Sequence, residues 1–225
     1  MPELSLRWSA DLANLARILA GERMKSETDI DLTAAHAERA RADADLLQRV
    51  ARDDRAAFEE LYERFSRPLY AIALRILQDA AEAQDIVQDV FLSLWEKAGA
   101  YETTRGSAFA WAVTLTRNRA IDRVRMRARR AELLTQTTDE DAGLKPGSTG
   151  PDSAAKLLSK EHASALRAAV ASLPPEQKQA VDLAFYGGFT QQEIATKLSE
   201  PLGTVKARIR RGLLKLRDSL GGRHD

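Results

Sequence analysis

The amino-acid sequence contains no cysteine among its 225 residues. This absence excludes a disulfide framework, a zinc site built from thiolates and a thiol switch within the chain. Long hydrophobic runs are also missing, because no apolar segment approaches the roughly 20 residues that span a bilayer. The N-terminal residues lack the charged-then-apolar pattern of a secretory leader. We therefore expect a protein that acts in the cytoplasm.

Residues suited to catalysis or metal binding are equally scarce. The three histidines, His36, His162 and His224, are scattered along the chain. The sequence shows no serine, histidine and aspartate set, no glycine-rich phosphate loop and no cluster of metal-ligand residues. It therefore predicts a protein that is not an enzyme and that needs no cofactor and no metal.

Strand patterns are absent as well, since β-branched residues nowhere alternate with polar ones over five residues. Apolar residues instead recur every three or four positions, which is typical of amphipathic helices. The predicted fold class is all-α, with two small helical domains joined by a flexible linker. We expect an N-terminal extension, partly disordered, at 1–42, a first domain at 43–131, an acidic linker at 132–156, a second domain at 157–220 and a tail at 221–225.

The first domain is predicted to open with two helices. Apolar residues at 46–50 form a short stripe, and a longer stripe follows over 58–77 with Asp54 available as its N-cap. Pro68 lies inside the longer stripe. Because proline removes a backbone hydrogen bond and clashes with the preceding turn, we expect a kink or a break near Ser66.

Two further helices are predicted in the same domain. Asp79 and Glu82 have the spacing of a capping box and would open the third helix. A loop of turn residues follows at 99–106. The fourth helix is then predicted over about 107–129.

Charge is unevenly distributed, although the net charge is only +1. Residues 105–130 contain eight arginines against one acid, Asp122. Residues 204–217 contain six Lys and Arg and no acid, whereas residues 79–96 contain five acids and no base. The two basic segments indicate two surfaces that face a polyanion, and the acidic helix indicates a face for a different partner.

The second domain carries the pattern of a helix-turn-helix. Thr190 and Glu193 have capping-box spacing at the start of a short helix, and Pro201 would pre-set the first turn of a long helix that ends near residue 220. In this motif the second helix lies in the major groove, where Arg and Lys donate to guanine and neutralise phosphates. The alternative, a solvated basic face on a structural helix, explains neither the capping box nor the turn.

Three strings carry a resemblance to a known family, namely QDIVQDVFLSLW at 84–95, WAVTLTRNRAIDRVR at 111–125 and GTVKARIRR at 203–211. In their order and spacing they resemble the extracytoplasmic-function (ECF) sigma factors, group IV of the sigma-70 family of RNA polymerase. The resemblance covers about residues 45–220. The short linker leaves no room for the extra helical domain that larger sigma factors insert between their region 2 and region 4 domains.

The resemblance implies that the first domain is sigma region 2, which binds core RNA polymerase and traps melted DNA at the promoter −10 element. In the family its third helix docks on a coiled coil of the β′ subunit, and the β subunit is a further contact. The implied polymerase-binding residues are Gln84, Asp85, Gln88 and Asp89. The implied −10 DNA-binding residues are Tyr101, Arg105, Asn118, Arg119, Asp122, Arg123 and Arg125.

The second domain is implied to be sigma region 4, which reads duplex DNA at the −35 element. Ala207 stands where serine is common in the family, and Gly212 stands where alanine is common. A glycine inside a helix weakens it by about 1 kcal/mol. The implied −35 DNA-binding residues are Thr204, Lys206, Ala207, Arg208, Arg210 and Arg211.

A regulatory partner is also implied, because most members of the family are held inactive by an anti-sigma factor. Since this chain has no cysteine, any thiol-sensing step would reside in that partner. Two other classes of protein remain open. A stand-alone helix-turn-helix regulator would need a sensory or dimerising domain, and a sigma mimic that sequesters other regulators would not need basic residues on both DNA-facing helices.

Overall fold

The structure of the chain, a computed structural model, describes residues 32–135 and 169–220. Side chains within these ranges are described except at 32–37, 105, 134–135 and 217–220. No β-strand occurs in the described ranges, and the all-α fold class is confirmed. The α-helices are α1 (Leu32–Val50), α2 (Arg55–Leu77), α3 (Ala80–Lys97), α4 (Ala108–Thr135), α5 (Pro175–Phe185), α6 (Gln191–Leu198) and α7 (Leu202–Leu220).

The helices form two bundles, as the sequence predicts. The N-terminal bundle comprises α1–α4, and the C-terminal bundle comprises α5–α7 together with the end of a helix at 169–171. Most of the predicted linker at 132–156, the first part of the predicted extension at 1–42 and the predicted tail at 221–225 lie outside the described residues.

Helix α1 begins at Leu32, well inside the segment expected to be an extension. Alanine, glutamate and arginine dominate its first half, and their high helix propensity sustains a helix without an apolar stripe. The apolar residues of the predicted stripe at 46–50 are buried in the core. Asp43 is also buried, and its Oδ1 accepts a hydrogen bond from Arg64 Nη1 of α2 at 2.8 Å. This ion pair joins α1 to α2.

Helix α2 continues without a break through Pro68, so of the kink or break predicted near Ser66 the break does not occur. A proline in a helix interior costs about 3 kcal/mol or more. Pro68 is itself buried, as are Phe65 and Leu69 on either side of it. Burial of a large apolar side chain contributes about 1.5–3 kcal/mol, so the buried stripe offsets the lost hydrogen bond.

Both N-caps predicted in the N-terminal bundle form. Asp54 Oδ1 accepts from the backbone N–H of Ala57 at 3.1 Å, and Asp79 Oδ1 accepts from that of Glu82 at 2.9 Å. The carboxylate of Glu82 pairs with Arg127 of α4 at 3.3 Å. Each cap satisfies a backbone donor that the first turn of a helix leaves without an intrahelical partner.

Aromatic rings fix the rotation of α3 against α2. Phe58 of α2 makes edge-to-face contacts with Phe91 and Trp95 of α3, at centroid distances of 5.9 and 5.1 Å. Such pairs are favourable beyond the area that they bury. Because this face of α3 points inward, the opposite face points to solvent.

Helix α4 continues to Thr135, past the expected end near residue 129. Ala, Glu and Leu at 131–133 are strong helix formers, which explains the longer helix. Arg127 Nη2 donates to the carbonyl oxygen of Leu77 at 3.0 Å. A cation at the C-terminal end of α2 satisfies a free carbonyl there and interacts favourably with the helix dipole.

The predicted helix-turn-helix is confirmed in its local structure. Thr190 Oγ1 accepts from the backbone N–H of Glu193 at 3.2 Å, and the N–H of Thr190 donates to Glu193 Oε2 at 2.6 Å, which completes the capping box of α6. Ser199 adopts a left-handed conformation with φ of 53° and turns the chain towards α7. Ile194 of α6 and Val205 of α7 are fully buried.

Gly212 lies where α7 packs closely against α5. A Cβ added at this position would lie 2.9 Å from Val181 Cγ2, closer than real Cβ contacts come. Valine cannot readily yield, because its χ1 angle is stiff. The glycine therefore allows close helix packing in return for its weaker helix propensity.

Candidate nucleic-acid and protein-binding surfaces

The four residues expected to bind polymerase share one exposed face of α3. Gln84, Asp85, Gln88 and Asp89 are all exposed, whereas Ile86 lies on the buried side of the same helix. The helical spacing of three and four residues brings the four side chains into one patch, which we call the acidic strip. Two carboxylates and two amides in such a strip suit a basic partner.

Leu92 extends the acidic strip with an apolar side chain that is 61% exposed. It lies four residues after Gln88 and three after Asp89, so it occupies the same face of α3. Leu92 was not among the predicted binding residues, because the apolar pattern of α3 points first to the stripe that faces the core. The signal was available: Leu92 falls outside that stripe, whose neighbouring members are Phe91 and Leu94.

The loop before α4 is closed by its own side chains. Tyr101 stacks on Trp111 with ring centroids 5.8 Å apart and 20° between the planes. The Tyr101 hydroxyl donates to the carbonyl oxygen of Gly106 at 2.9 Å. Trp111 is half-buried and packs against the core. The side chain of Arg105 lies outside the described part of the structure.

The remaining residues expected to bind −10 DNA lie on α4 and differ in exposure. Asn118, Asp122 and Arg125 are exposed, and Arg123 is half-buried. Arg119 turns towards α3, where its Nη2 donates to Ser93 Oγ, while its Nη1 is buried without a hydrogen-bond partner among the described residues. A buried donor without a hydrogen bond costs folding free energy. Arg119 therefore keeps a donor that could still form a hydrogen bond with a ligand.

Arg117 is a buried cation that sequence reasoning counted among the basic residues but did not assign a role. Its Nε donates to the carbonyl oxygen of Phe185 at 2.9 Å and its Nη2 to that of Ala184 at 2.7 Å. Its Nη1 donates to Asn118 Oδ1 at 2.9 Å. Burial, and next the charge of Arg125, lower the pKa of Arg117 to about 10. The guanidinium therefore remains charged at neutral pH.

The six residues expected to read −35 DNA lie on the N-terminal half of α7. Lys206, Arg210 and Arg211 are exposed, whereas Thr204 and Ala207 are half-buried. Three exposed cations on one helix segment have the charge and the hydrogen-bond donors that phosphates and guanine edges accept. We call these three residues the basic face.

Arg208 differs from the basic face because it is engaged within the chain. Its Nη2 lies 2.8 Å from Glu200 Oε1 in the turn that precedes α7. The ion pair ties the turn to the helix and neutralises part of the charge of Arg208. In the free protein this ion pair therefore stabilises the direction in which α7 leaves the turn.

No group of three or more His, Asp or Glu side chains in the described ranges is arranged to hold a metal ion. Among the described residues, no helix has the length and apolar character needed to cross a membrane.

Two family models match the chain. The model for Sigma-70 region 2 matches residues 61–130, and the model for Sigma-70, region 4 matches residues 163–216. The first match includes the acidic strip and α4, and the second includes the helix-turn-helix.

Relatives in several mycobacteria match most of the chain. The ECF RNA polymerase sigma factor SigK of Mycobacterium tuberculosis (strain H37Rv) is 33% identical over 176 residues, which cover 78% of this chain and 91% of the relative. SigK of Mycobacterium ulcerans is 31% identical, with the same coverage. SigK of Mycolicibacterium vanbaalenii is 32% identical over 177 residues, which cover 78% of this chain and 88% of the relative.

Solved structures also match. The sigma factor SigE of Rhodobacter sphaeroides, in complex with the anti-sigma ChrR, is 30% identical and covers 76% of this chain and 96% of that chain, with a TM-score of 0.39. The sigma factor RpoE of Bartonella quintana, in complex with the anti-sigma factor NepR, is 25% identical and covers 68% of this chain and 89% of that chain, with a TM-score of 0.32.

Proposed function

The chain belongs to the ECF sigma factors of the sigma-70 family, and from this premise we propose how its surfaces divide the work of transcription initiation. A sigma factor binds RNA polymerase and directs it to promoters. The single observation that carries the proposal is the separation of two exposed surfaces, the acidic strip on α3 and the basic face on α7. One is suited to a basic protein and the other to DNA.

The acidic strip and Leu92 form the polymerase-docking surface. Apolar side chains at the centre of an interface with a polar rim are typical of residues that dominate binding energy. Leu92 would provide the apolar centre, and Asp85 and Asp89 would pair with basic residues on the polymerase. The family's docking site, the coiled coil of the β′ subunit, is the proposed partner, with the β subunit as a further contact.

The N-terminal bundle also traps the melted −10 element. Extruding a base from the DNA stack costs a few kcal/mol and needs a site that offers stacking and hydrogen bonds. Tyr101 stacked on Trp111 would provide a rigid aromatic surface, and Asn118 would provide amide groups. The arginines of α4 would hold the backbone of the single strand. The proposed residues are Tyr101, Arg105, Asn118, Arg119, Asp122, Arg123 and Arg125.

The C-terminal bundle reads the −35 element through α7. Its N-terminal half would enter the major groove, with Lys206, Arg210 and Arg211 contacting base edges and phosphates. Thr204, Ala207 and Arg208 complete the proposed surface. The residues at 132–156 would connect the two readers, with 43–131 as region 2 and 157–220 as region 4.

Two further proposals follow from this division of labour. An anti-sigma factor is the proposed regulator, because the docking surface exposes Leu92 to solvent. The cytoplasm is the proposed place of action, because the polymerase and the promoter are there. Binding alone performs each of these steps, so no catalytic residue is proposed.

In vitro transcription from a genomic fragment library tests the proposed function. Purified protein and bacterial core polymerase, without any other sigma factor, should produce discrete start sites that share −35 and −10 elements. An Arg210→Ala and Arg211→Ala double variant should lose −35-dependent transcripts about tenfold or more, since each base or phosphate contact contributes about 1–3 kcal/mol, and should still bind polymerase.

An Arg52→Ala and Arg55→Ala double variant is the matched control. It removes the same charge from exposed residues of the N-terminal bundle that have no proposed DNA contact, and it should transcribe normally. Loss of polymerase binding in the Arg210 and Arg211 variant would contradict the proposed division of labour. If no transcripts appear but the protein alone binds specific duplex DNA, the chain acts instead as a stand-alone regulator.

A further inference from the structure

The arginine-rich segment that ends in α4 contains more cations than the proposed −10 surface uses. Residues 105–130 include eight arginines, of which four belong to that surface. Arg117 is buried and donates to backbone carbonyl oxygens. The three arginines that remain lie near the end of α4, and they are Arg127, Arg129 and Arg130.

Arg127 is tied to the rest of the N-terminal bundle. Its Nη2 donates to the carbonyl oxygen of Leu77 at 3.0 Å, and its Nη1 lies 3.3 Å from Glu82 Oε2. Beyond this point α4 has no buried face, because every residue at 129–133 is exposed and 3.6 residues complete a turn. The end of α4 therefore projects from the bundle into solvent.

Arg129 and Arg130 are the two cations of this projecting end. Both side chains are exposed, and neither makes an ion pair or a hydrogen bond with another residue in the part of the chain that the structure describes. Arg125, one turn earlier, is instead engaged, because its Nη2 donates to the carbonyl oxygen of Gly188 at 2.7 Å. Each of the two projecting guanidinium groups carries five N–H donors and a positive charge.

The two arginines continue the rows of side chains that are proposed to hold −10 DNA. Positions four, seven and eleven residues apart share one face of an α-helix. Arg129 follows Asn118 by eleven residues and Arg125 by four. Arg130 follows Arg119 by eleven residues. At a rise of 1.5 Å per residue, each of the two lies about 16 Å along the helix from the first residue of its row.

The order of the chain indicates which DNA this end of α4 would meet. The helix-turn-helix follows α4 in the chain, and the −35 element that it is proposed to read lies upstream of the −10 element. The C-terminal end of α4 is therefore the end nearer to the upstream DNA, which is double-stranded. One strand of a duplex carries a phosphate every ~3.4 Å. About 16 Å thus corresponds to roughly five base pairs upstream of a base held by Asn118.

The continuous row of cations favours DNA as the partner of this segment. Asp122 is the one acid among residues 105–130, so positive charge predominates from the −10 surface to the end of the helix. A DNA backbone repeats its negative charge along its length, and each neutralised phosphate adds to the affinity by releasing counterions. A row that extends a DNA-binding face along the helix suits such a ligand.

We propose that Arg129 and Arg130 bind the phosphates of double-stranded DNA just upstream of the −10 element, and we call this contact the upstream clamp. The inference rests on the proposed function of α4. The clamp is independent of DNA sequence, because phosphates carry no sequence information. It holds the duplex at the edge of the melted region, so that one helix binds both the single strand and the duplex beside it.

Forked DNA tests the upstream clamp. One template is the −10 strand of a promoter found in the fragment library, joined to about one helical turn of upstream duplex without a −35 element. The other is the same single strand alone. Core polymerase assembled with the full chain is titrated with each template by fluorescence anisotropy at several salt concentrations.

An Arg129→Ala and Arg130→Ala double variant should bind the forked template about tenfold more weakly than the wild type does. The slope of log affinity against log salt concentration should fall by about 2, since each lost phosphate contact in a duplex removes about 0.9. The variant should bind the single strand as tightly as the wild type, because the clamp contacts only the duplex.

Two further variants separate the clamp from a general effect of charge or folding. Arg52→Ala with Arg55→Ala removes the same charge from exposed positions elsewhere in the N-terminal bundle, and it should keep the wild-type affinity and slope. Arg129→Lys with Arg130→Lys keeps both charges and should keep the slope, because the slope depends on the number of neutralised phosphates.

Three outcomes overturn the upstream clamp. The first is equal binding of the forked template by the Arg129 and Arg130 alanine variant and the wild type. The second is an equal loss on both templates, because the arginines would then act on the single strand or on the fold. The third is weaker binding of the alanine variant to core polymerase, which would indicate an acidic protein partner. A wild-type complex that does not distinguish the −10 strand from a scrambled strand contradicts the proposed function, on which the clamp depends.

Discussion

At the scale of single residues, the exposed side chain of Leu92 allows an effect on polymerase binding to be distinguished from an effect on folding stability. Leu92 buries little area in the free chain, so its removal costs little folding free energy. At the centre of a protein interface the same side chain loses its contact with water and so contributes to the binding free energy. Leu92→Ala should therefore weaken binding to core polymerase about tenfold, as measured by a binding titration, and leave the melting temperature within about 2 °C.

Leu133→Ala is the matched control for Leu92→Ala. Leu133 is 66% exposed near the end of α4 and lies on a different helix from the acidic strip. The same truncation there should leave polymerase binding unchanged. Equal effects of the two truncations would contradict the docking surface proposed for α3.

Individual side-chain contacts across the chain could not be predicted from the sequence. Arg117 and its acceptor on Phe185 are separated by 68 positions, and no periodicity or spacing links them. Asp43 and Arg64 are a similar case, since their ion pair follows from how α1 lies on α2. What the sequence did predict is local: Asp54, Asp79 and Thr190 each cap the helix that begins within one residue of them.

At the scale of elements, the start of α6 contains a titratable group. The backbone N–H of Thr190, chiefly, holds the pKa of Glu193 below its ordinary value. A carboxyl whose folded pKa is lowered contributes stability that is present above the unfolded pKa, about 4.3, and is lost as pH falls through the folded pKa. Glu193→Gln keeps an acceptor for Thr190 but does not titrate.

The expected result is a pH-dependent difference between the two proteins. The wild type should exceed Glu193→Gln in free energy of unfolding at neutral pH, and the difference should shrink as the pH is lowered from about 4.3. Urea unfolding followed by circular dichroism measures this difference in free energy of unfolding. The contributions of the other carboxyl groups are the same in both proteins and cancel in the difference. A difference that is constant over this pH range would show that Glu193 does not accept from Thr190 in solution.

The helix boundaries depend on burial in the core and on helix propensity, and they were not predicted correctly from proline, glycine or the end of a periodic pattern. Pro68 indicated a kink or a break, and α2 with its buried stripe continues through it as one helix. The predicted end of α4 near residue 129 rested on the end of its periodic pattern, but the helix continues to Thr135 through residues of high helix propensity at 131–133. Gly212 suggested a weak point in α7, and its packing against Val181 gives the glycine a structural use.

At the scale of the whole molecule, the fold was predicted because each bundle is built from local signals that agree. Two all-α bundles, the helix-turn-helix and the family all followed from periodicity, caps and motifs in sequence order. The contact between the bundles did not, because it is made by arginines that donate to backbone oxygens. Every residue has a backbone carbonyl oxygen, so the identity of a residue does not indicate whether that oxygen accepts a hydrogen bond from a distant arginine.

The distribution of charge over the molecule predicts how promoter binding responds to salt. Each phosphate contact releases counterions and adds about 0.9 to the slope of log affinity against log salt concentration. The Arg210→Ala and Arg211→Ala double variant should therefore reduce that slope by about 2, measured by fluorescence anisotropy on duplex −35 DNA. The Arg52→Ala and Arg55→Ala control should keep the wild-type slope. An unchanged slope in the Arg210 and Arg211 variant would show that neither arginine contacts a phosphate.

The hydrogen bonds of Arg117 to the end of α5 and of Arg125 to the turn beyond it have an evolutionary consequence. Because these arginines recognise main-chain oxygens of Ala184, Phe185 and Gly188, neutral drift in the side chains of that turn leaves the hydrogen bonds available. Gly188 is constrained by Ile121, because a Cβ at position 188 would lie 2.6 Å from Ile121 Cγ2, and Asp182 and Tyr186 are constrained by their contacts with Arg75. A lineage could thus lose the contact between the bundles by a single codon change at position 188, while both DNA readers kept their own sequences.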